Sequence, residues 1–210
     1  VLVRTLGKIS AYSVCAREAA KLGAVSSAAH AVCFALGVAT TQLCEPAAVA
    51  TQTLLAREFY ADKSTNLRRS HRILRLGLAT GLGCSSLLAT GTYLNRHNVV
   101  AGLTTDPKVR AACISVFPLV MLCQALKGLA YPVNGLLMGA LDWSAASVTM
   151  WASNIACLLV LARPTPSSLD KLWRGFAALF VVQCGAGLLR VASRTGPWTR
   201  LRRPSSASTA

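Results

Sequence analysis

RLGLATGLGCSSLLATGTYLNR, residues 75–96, holds 20 consecutive uncharged residues between two arginines. As a helix rising 1.5 Å per residue, such a run covers about 30 Å, the thickness of a bilayer's hydrocarbon core. The rest of the chain repeats the pattern. One charge, Glu45, interrupts the 35 residues between Lys21 and Arg57, and one, Lys127, the 31 between Arg110 and Asp142. Another 20 uncharged residues separate Asp142 from Arg163, and 15 separate Arg174 from Arg190. The last interval is extended by Lys and Arg stems that reach toward headgroups.

The composition fits a chain dissolved in lipid. Of 210 residues, 53% are hydrophobic and 14% charged, with 22 Lys plus Arg against 7 Asp plus Glu, a net charge of +15. A soluble basic domain carries charge on about a quarter of its residues, and a disordered basic segment lacks this apolar content. The expectation is an all-α integral membrane protein with spans at about 1–16, 24–56, 76–95, 111–138, 143–162 and 175–190. The first reads as the remainder of a helix continued from upstream, since Val1 replaces a start Met; the chain is then a fragment of a longer membrane protein, the alternative being a processed one. No signal peptide is legible. The lobe is assigned to 1–193. The Arg-, Ser- and Pro-rich tail, 194–210, has no apolar period and is expected to be disordered.

Alternating loops put 13 basic residues on one side of the membrane and 8 on the other. The positive-inside rule assigns the richer side, which holds Arg4, Lys8, the 57–75 loop and the tail, to the cytoplasm or its organellar equivalent. These basic residues flank helices, so anionic headgroups rather than nucleic acid are their expected neighbours. Trp143 and Trp173 begin spans, where either an interfacial belt or plain packing accounts for them. The eight cysteines are scattered without a CxxC pair and the three histidines are isolated, so no metal site, cofactor site or catalytic constellation is expected.

Charge inside a span is costly and marks a functional candidate. Glu45 stands beside Pro46, which removes a backbone donor, and shares a polar stripe with Thr41 and Gln52. A carboxylate at a helix break can bind a proton or sodium ion as its surroundings alternate between wet and dry; the plainer alternative is an interhelical hydrogen bond. Lys127 shares a face with Gln124, Tyr131 and Asn134, and Pro132 is expected to bend that helix. One economical arrangement has Glu45 and Lys127 facing a shared cavity and neutralising each other in one conformation. Gly77 with Gly81, and Gly135 with Gly139, form GxxxG pairs that permit close helix approach.

Four segments in order resemble the multidrug and toxic compound extrusion (MATE) transporters, especially the plant-type DETOXIFICATION branch related to bacterial damage-inducible efflux proteins. LVRTL, 2–6, resembles the opening of the family's seventh helix. AAHAVCFALGVATTQLCEPAAVATQTLLAREF, 28–59, is similar to its eighth. LTTDP, 103–107, resembles the FTxDP before the tenth, and QALKGLAYPVNGLLMGALDWSAAS, 124–147, the end of the tenth and its turn into the eleventh. The resemblance implies the C-terminal six-helix lobe of a twelve-helix antiporter whose N-terminal lobe is the partner across a central cleft. It implies proton- or sodium-coupled efflux of small organic, often cationic, solutes. It carries Glu45 onto the family's acidic site and Gln52 onto the glutamine of its GQ pair. Thr51 departs from the usual glycine, and Asn134 from the Asp many relatives have. Asn134 and the absence of the N-terminal half from this sequence leave a second reading, a non-transporting membrane scaffold or a degenerate transporter fragment. Plasma, vacuolar and plastid membranes all fit.

Overall fold

The computed structural model describes residues 2–42, 45–60 and 66–201. Val1, Cys44, Lys63, Arg202, Arg203 and the tail beyond Leu201, all used above, lie outside the described residues. The described chain is helical without a strand: α1 (Leu2–Lys21), α2 (Ala24–Gln42), α3 (Glu45–Tyr60), α4 (Leu67–Leu94), α5 (Arg96–Leu103), α6 (Pro107–Gly139), α7 (Trp143–Ala162), α8 (Leu169–Ala192) and a 3-10 turn at Gly196–Leu201.

Five of these, α2, α4, α6, α7 and α8, are long and apolar enough to cross a bilayer. Each overlaps one of the five full spans expected, with different bounds, and α1, with charges at Arg4, Lys8, Arg17, Glu18 and Lys21, is not among them. The region expected as a single span over 24–56 is recorded as α2 and α3, on either side of 43–44. Pro46 is the second residue of α3, in the first turn, where a missing N–H costs no helical hydrogen bond.

The helix starts are chemically marked. Asn66 accepts from the Arg69 N–H at 3.1 Å, Asp106 from Lys108 N–H at 2.8 Å before Pro107, and Ser168 from Lys171 N–H at 3.2 Å. Each side-chain oxygen satisfies a donor that the first helical turn leaves free.

The long helix α6 is the axis of the molecule, packed against α2, α3, α4 and α8, while α1 and α8 cover α7. Glycines set the approach. A Cβ on Gly135 would meet the Ala48 carbonyl oxygen at 2.5 Å, and one on Gly139 the Gln52 carbonyl at 2.5 Å, so α3 lies directly on the α6 backbone. Gly77 faces Thr51, and Gly81 faces the Gly128 carbonyl and the Pro132 ring. That carbonyl is freed because Pro132 has no N–H to return to it. Pro118 and Pro132 both lie within α6, which runs as one helix.

Chain ends sort into two groups. Phe59, Leu137, Val191, Trp198 and Leu201 share one apolar cluster, with Ile73 and Leu74 against it. It gathers the ends of α3, α6 and α8, the start of α4 and the 3-10 turn. Trp198 is fully buried there, so the expectation of a disordered tail from residue 194 does not hold for Gly196–Leu201. At the opposite end, Leu22, Leu161 and Leu172 line one small cavity with Glu18 and Lys171. Lys21 Nζ donates to Glu18 at 2.8 Å and holds that carboxyl below its ordinary range.

Candidate functional site

Arg4 and Lys8, one turn apart on α1, point at the same region as Tyr131 and Asn134, one turn apart on α6. With Tyr12 and Gln183 they line a cavity of about 20 Å³ between α1, α6 and α8, room for one small polar group. Lys8 Nζ lies 5.4 Å from the Tyr131 ring centroid and 5.8 Å from that of Tyr12. Among the described residues, Arg4 Nε and Asn134 Oδ1 are buried without a hydrogen-bond partner. A donor and an acceptor are thus left over from the lobe's own bonding, which is costly unless a bound group completes them.

Glu45, the first residue of α3, is not among the residues lining this cavity. Its carboxylate is close enough for its charge to act on both Lys8 and Tyr131. In this conformation Glu45 and Lys127 are not paired: no ion pair joins them among the described residues. Lys127, 6% exposed, has its ammonium 5.5 Å from the Phe180 ring centroid and 6.0 Å from that of Phe34. Its face of α6 turns to α2 and α8, so cation–π contact takes the place of a carboxylate.

The other candidates fall into separate places. Thr41 Oγ1 lies 2.6 Å from the Gly37 carbonyl oxygen and 3.2 Å from Gln124 Oε1, tying α2 to α6. Ser85 of α4 donates to the Gln124 carbonyl at 3.0 Å. Gln52 stands where α3 crosses Gly139, about 18 Å along α6 from the level of Lys127. Tyr131 and Asn134 therefore share a cavity; Thr41 and Gln124 form an interhelical tie nearby; Gln52 belongs to neither.

Sequence reasoning missed Arg4, Lys8 and Gln183 as cavity residues. Arg4 and Lys8 were assigned to the flank of the first helix, although their spacing of four in an otherwise apolar stretch is a usable signal. It also missed two buried carboxylates. Glu58, 3% exposed, accepts from the Asn66 N–H at 2.7 Å and pairs with Arg69 at 3.3 Å, closing α3 onto α4. Asp142, 5% exposed, accepts from Arg190 Nε at 2.7 Å and Trp198 Nε1 at 3.0 Å. Trp173 is a packing residue, buried against His30 and Phe176, whereas Trp143 is exposed.

No family profile matches the chain. Individual relatives do. Protein DETOXIFICATION 42 of Arabidopsis thaliana is 31% identical over 206 residues, covering 96% of this chain and 39% of that protein. By sequence the chain is similar to the plant DETOXIFICATION proteins, the branch of the MATE family that its motifs resemble. Protein DETOXIFICATION 43 of the same plant is 29% identical over 213 residues, 99% of this chain and 39% of its own length. Protein DETOXIFICATION 44, named chloroplastic, is 27% identical over 200 residues, 94% of this chain and 38% of its length. The chain thus spans about two-fifths of the length of the DETOXIFICATION proteins it matches. It is a multi-pass integral membrane protein.

Proposed function

We propose that this chain supplies one lobe of a secondary active transporter that moves small organic solutes by alternating access against a second, N-terminal lobe. The observation that carries the reading is the cavity itself: Arg4, Lys8, Tyr131 and Asn134 converge inside an apolar bundle, within electrostatic reach of Glu45. Ionisable groups in such a place are kept for a solute or ion. Glu45 is the coupling residue, taking up a proton or a sodium ion.

The charge of the cavity bears on the solute. Arg4, Lys8 and the nearby Lys127 outnumber Glu45, which favours an anionic solute over the cationic one that the family resemblance suggested. With an ion on Glu45, Lys8 loses its counter-charge and is free for a solute anion; when the ion leaves, Glu45 competes for Lys8 again. Protonation then tightens anion binding, the reverse of its effect on a cation. Competition between a proton and a cationic solute at Glu45, as in antiport, is the second reading, supported by the carboxylate.

The test uses the full-length protein in proteoliposomes with an imposed proton or sodium gradient, offered an organic dicarboxylate or a quaternary ammonium compound. Glu45→Gln abolishes gradient-driven movement while insertion is unaffected. Lys8→Gln weakens dicarboxylate transport about tenfold, as loss of one close charged contact does. Unaltered transport in Glu45→Gln refutes the coupling role, and movement of the ammonium compound alone refutes the anionic assignment.

A further inference from the structure

The start of α4 carries a basic stripe that the transport reading leaves unused. Arg68, Arg72 and Arg75 follow one another at intervals of four and three, so they share a helical face, which Leu76 and Ala79 continue. They line an open cavity of about 1330 Å³ that Arg194 and Leu201 of the tail close from the other side. No carboxylate is among the described residues lining it, and none of these four arginines is in an ion pair among the described residues. Arg69, by contrast, is held by Glu58.

Around the helix, Arg69 and Arg72 head a second groove of about 420 Å³ between α3 and α4. Its walls are mostly apolar, with Ala50, Leu54 and Ile73 among them, and Arg72 and Leu76 border both spaces. Leu76 is 54% exposed.

Depth relates the two halves. The uncharged part of α4 from Leu76 to Leu94 covers about 28 Å, close to a hydrocarbon core, so residues 67–75 rise about 13 Å into the headgroup layer. Unpaired arginines at headgroup depth stand directly over apolar grooves at acyl depth. A free phosphate would use only the arginines, and a neutral lipid only the grooves. A molecule with phosphate and alkyl chain joined uses both.

We propose that this stripe binds an anionic phospholipid, its headgroup phosphate among Arg68, Arg72, Arg75 and Arg194, and an acyl chain along Leu76 into the α3–α4 groove. Four cations exceed the charge of one phosphodiester, so a headgroup bearing further phosphates binds tightest. The site does not depend on what the protein transports.

The full chain is reconstituted in nanodiscs of phosphatidylcholine containing equal mole fractions of phosphatidylserine and a phosphatidylinositol bisphosphate, and the lipids that survive a detergent wash are identified by mass spectrometry. The bisphosphate lipid is retained most and phosphatidylcholine least. Each arginine near an anionic surface contributes about fivefold, so Arg72→Gln with Arg75→Gln lowers retention roughly 30-fold. Arg17→Gln with Lys108→Gln, at the other end of the bundle, leaves it unchanged. Melting in pure phosphatidylcholine checks that the variants fold. If the glutamine pair melts early, Arg72→Lys with Arg75→Lys serves with Leu76→Gln: the lysines keep most of the retention and the glutamine reduces it. Equal retention of all lipids, or wild-type retention in the folded glutamine pair, overturns the site. So does inositol trisphosphate displacing the lipid at the concentration at which a short-chain bisphosphate lipid does, because the groove would then contribute nothing.

Discussion

Asp142 holds two elements on one carboxylate oxygen, Arg190 Nε of α8 at 2.7 Å and Trp198 Nε1 of the 3-10 turn at 3.0 Å. Removing the acceptor leaves a fully buried indole N–H unsatisfied and a partly buried guanidinium uncompensated, together about 2–4 kcal/mol. Asp142→Ala should therefore lower the melting midpoint in detergent by roughly 5–10 °C, followed by tryptophan fluorescence. Asp142→Asn, which keeps an acceptor for Trp198 and loses the charge opposite Arg190, should fall between it and the wild type. An alanine variant that melts with the wild type would show that the contact contributes nothing to stability. At this scale the sequence was legible where a polar residue stood alone in apolar surroundings: Glu45 and Lys127 stood out for that reason. Glu58 and Asp142 did not, because a carboxylate next to a helix end is where charge is expected. Which cation feels the charge of Glu45 depends on where α1 lies in the bundle, and no spacing within α3 encodes that.

Helix contacts were more readable. The two GxxxG pairs, read as permission for close approach, lie where α4 meets α3 and α6 and where α3 meets α6. The physics is steric and local: without side chains the backbones touch, and dispersion contact supplies the association that lipid does not. Gly135→Ala puts a Cβ at 2.5 Å from the Ala48 carbonyl oxygen, and overpacking of that kind costs about 1–3 kcal/mol. Gly83→Ala, whose Cβ would meet nothing within 4 Å, should be neutral or stabilise by about 0.5–1 kcal/mol through helix propensity. Comparing the two by size-exclusion after a heating series separates them; equal stability of the two variants would mean that the α3–α6 contact does not constrain Gly135. Glu45 and Pro46 suit the first turn of a helix as well as a kink within one, through a first-turn carboxylate and a proline without need of its N–H.

Across the whole molecule, the charge asymmetry and the clustering of helix ends make one joint prediction. Arg4 and Lys8 line the cavity, so they are not free flanking charges, and the bias narrows to 11 basic residues against 8. All of the remainder on the richer side lies in the 57–75 segment and the tail, whose described parts meet at the Trp198 cluster through Phe59, Ile73, Leu74 and Leu201. Charge counted along the chain and contacts formed in space thus select the same end of the bundle, and the positive-inside rule makes that end cytoplasmic. The exposed residues Thr199, beside that cluster, and Ser167, between α7 and α8 at the opposite end, suit single-cysteine replacement in a variant freed of its native cysteines. A membrane-impermeant maleimide should label Thr199→Cys only from the cytoplasmic face and Ser167→Cys only from the other. Labelling of both from one face would break the alternation of α7 and α8. A clean reversal would keep the bundle and overturn its orientation, and with it the assignment of the arginine stripe on α4 to the leaflet where anionic lipids are concentrated.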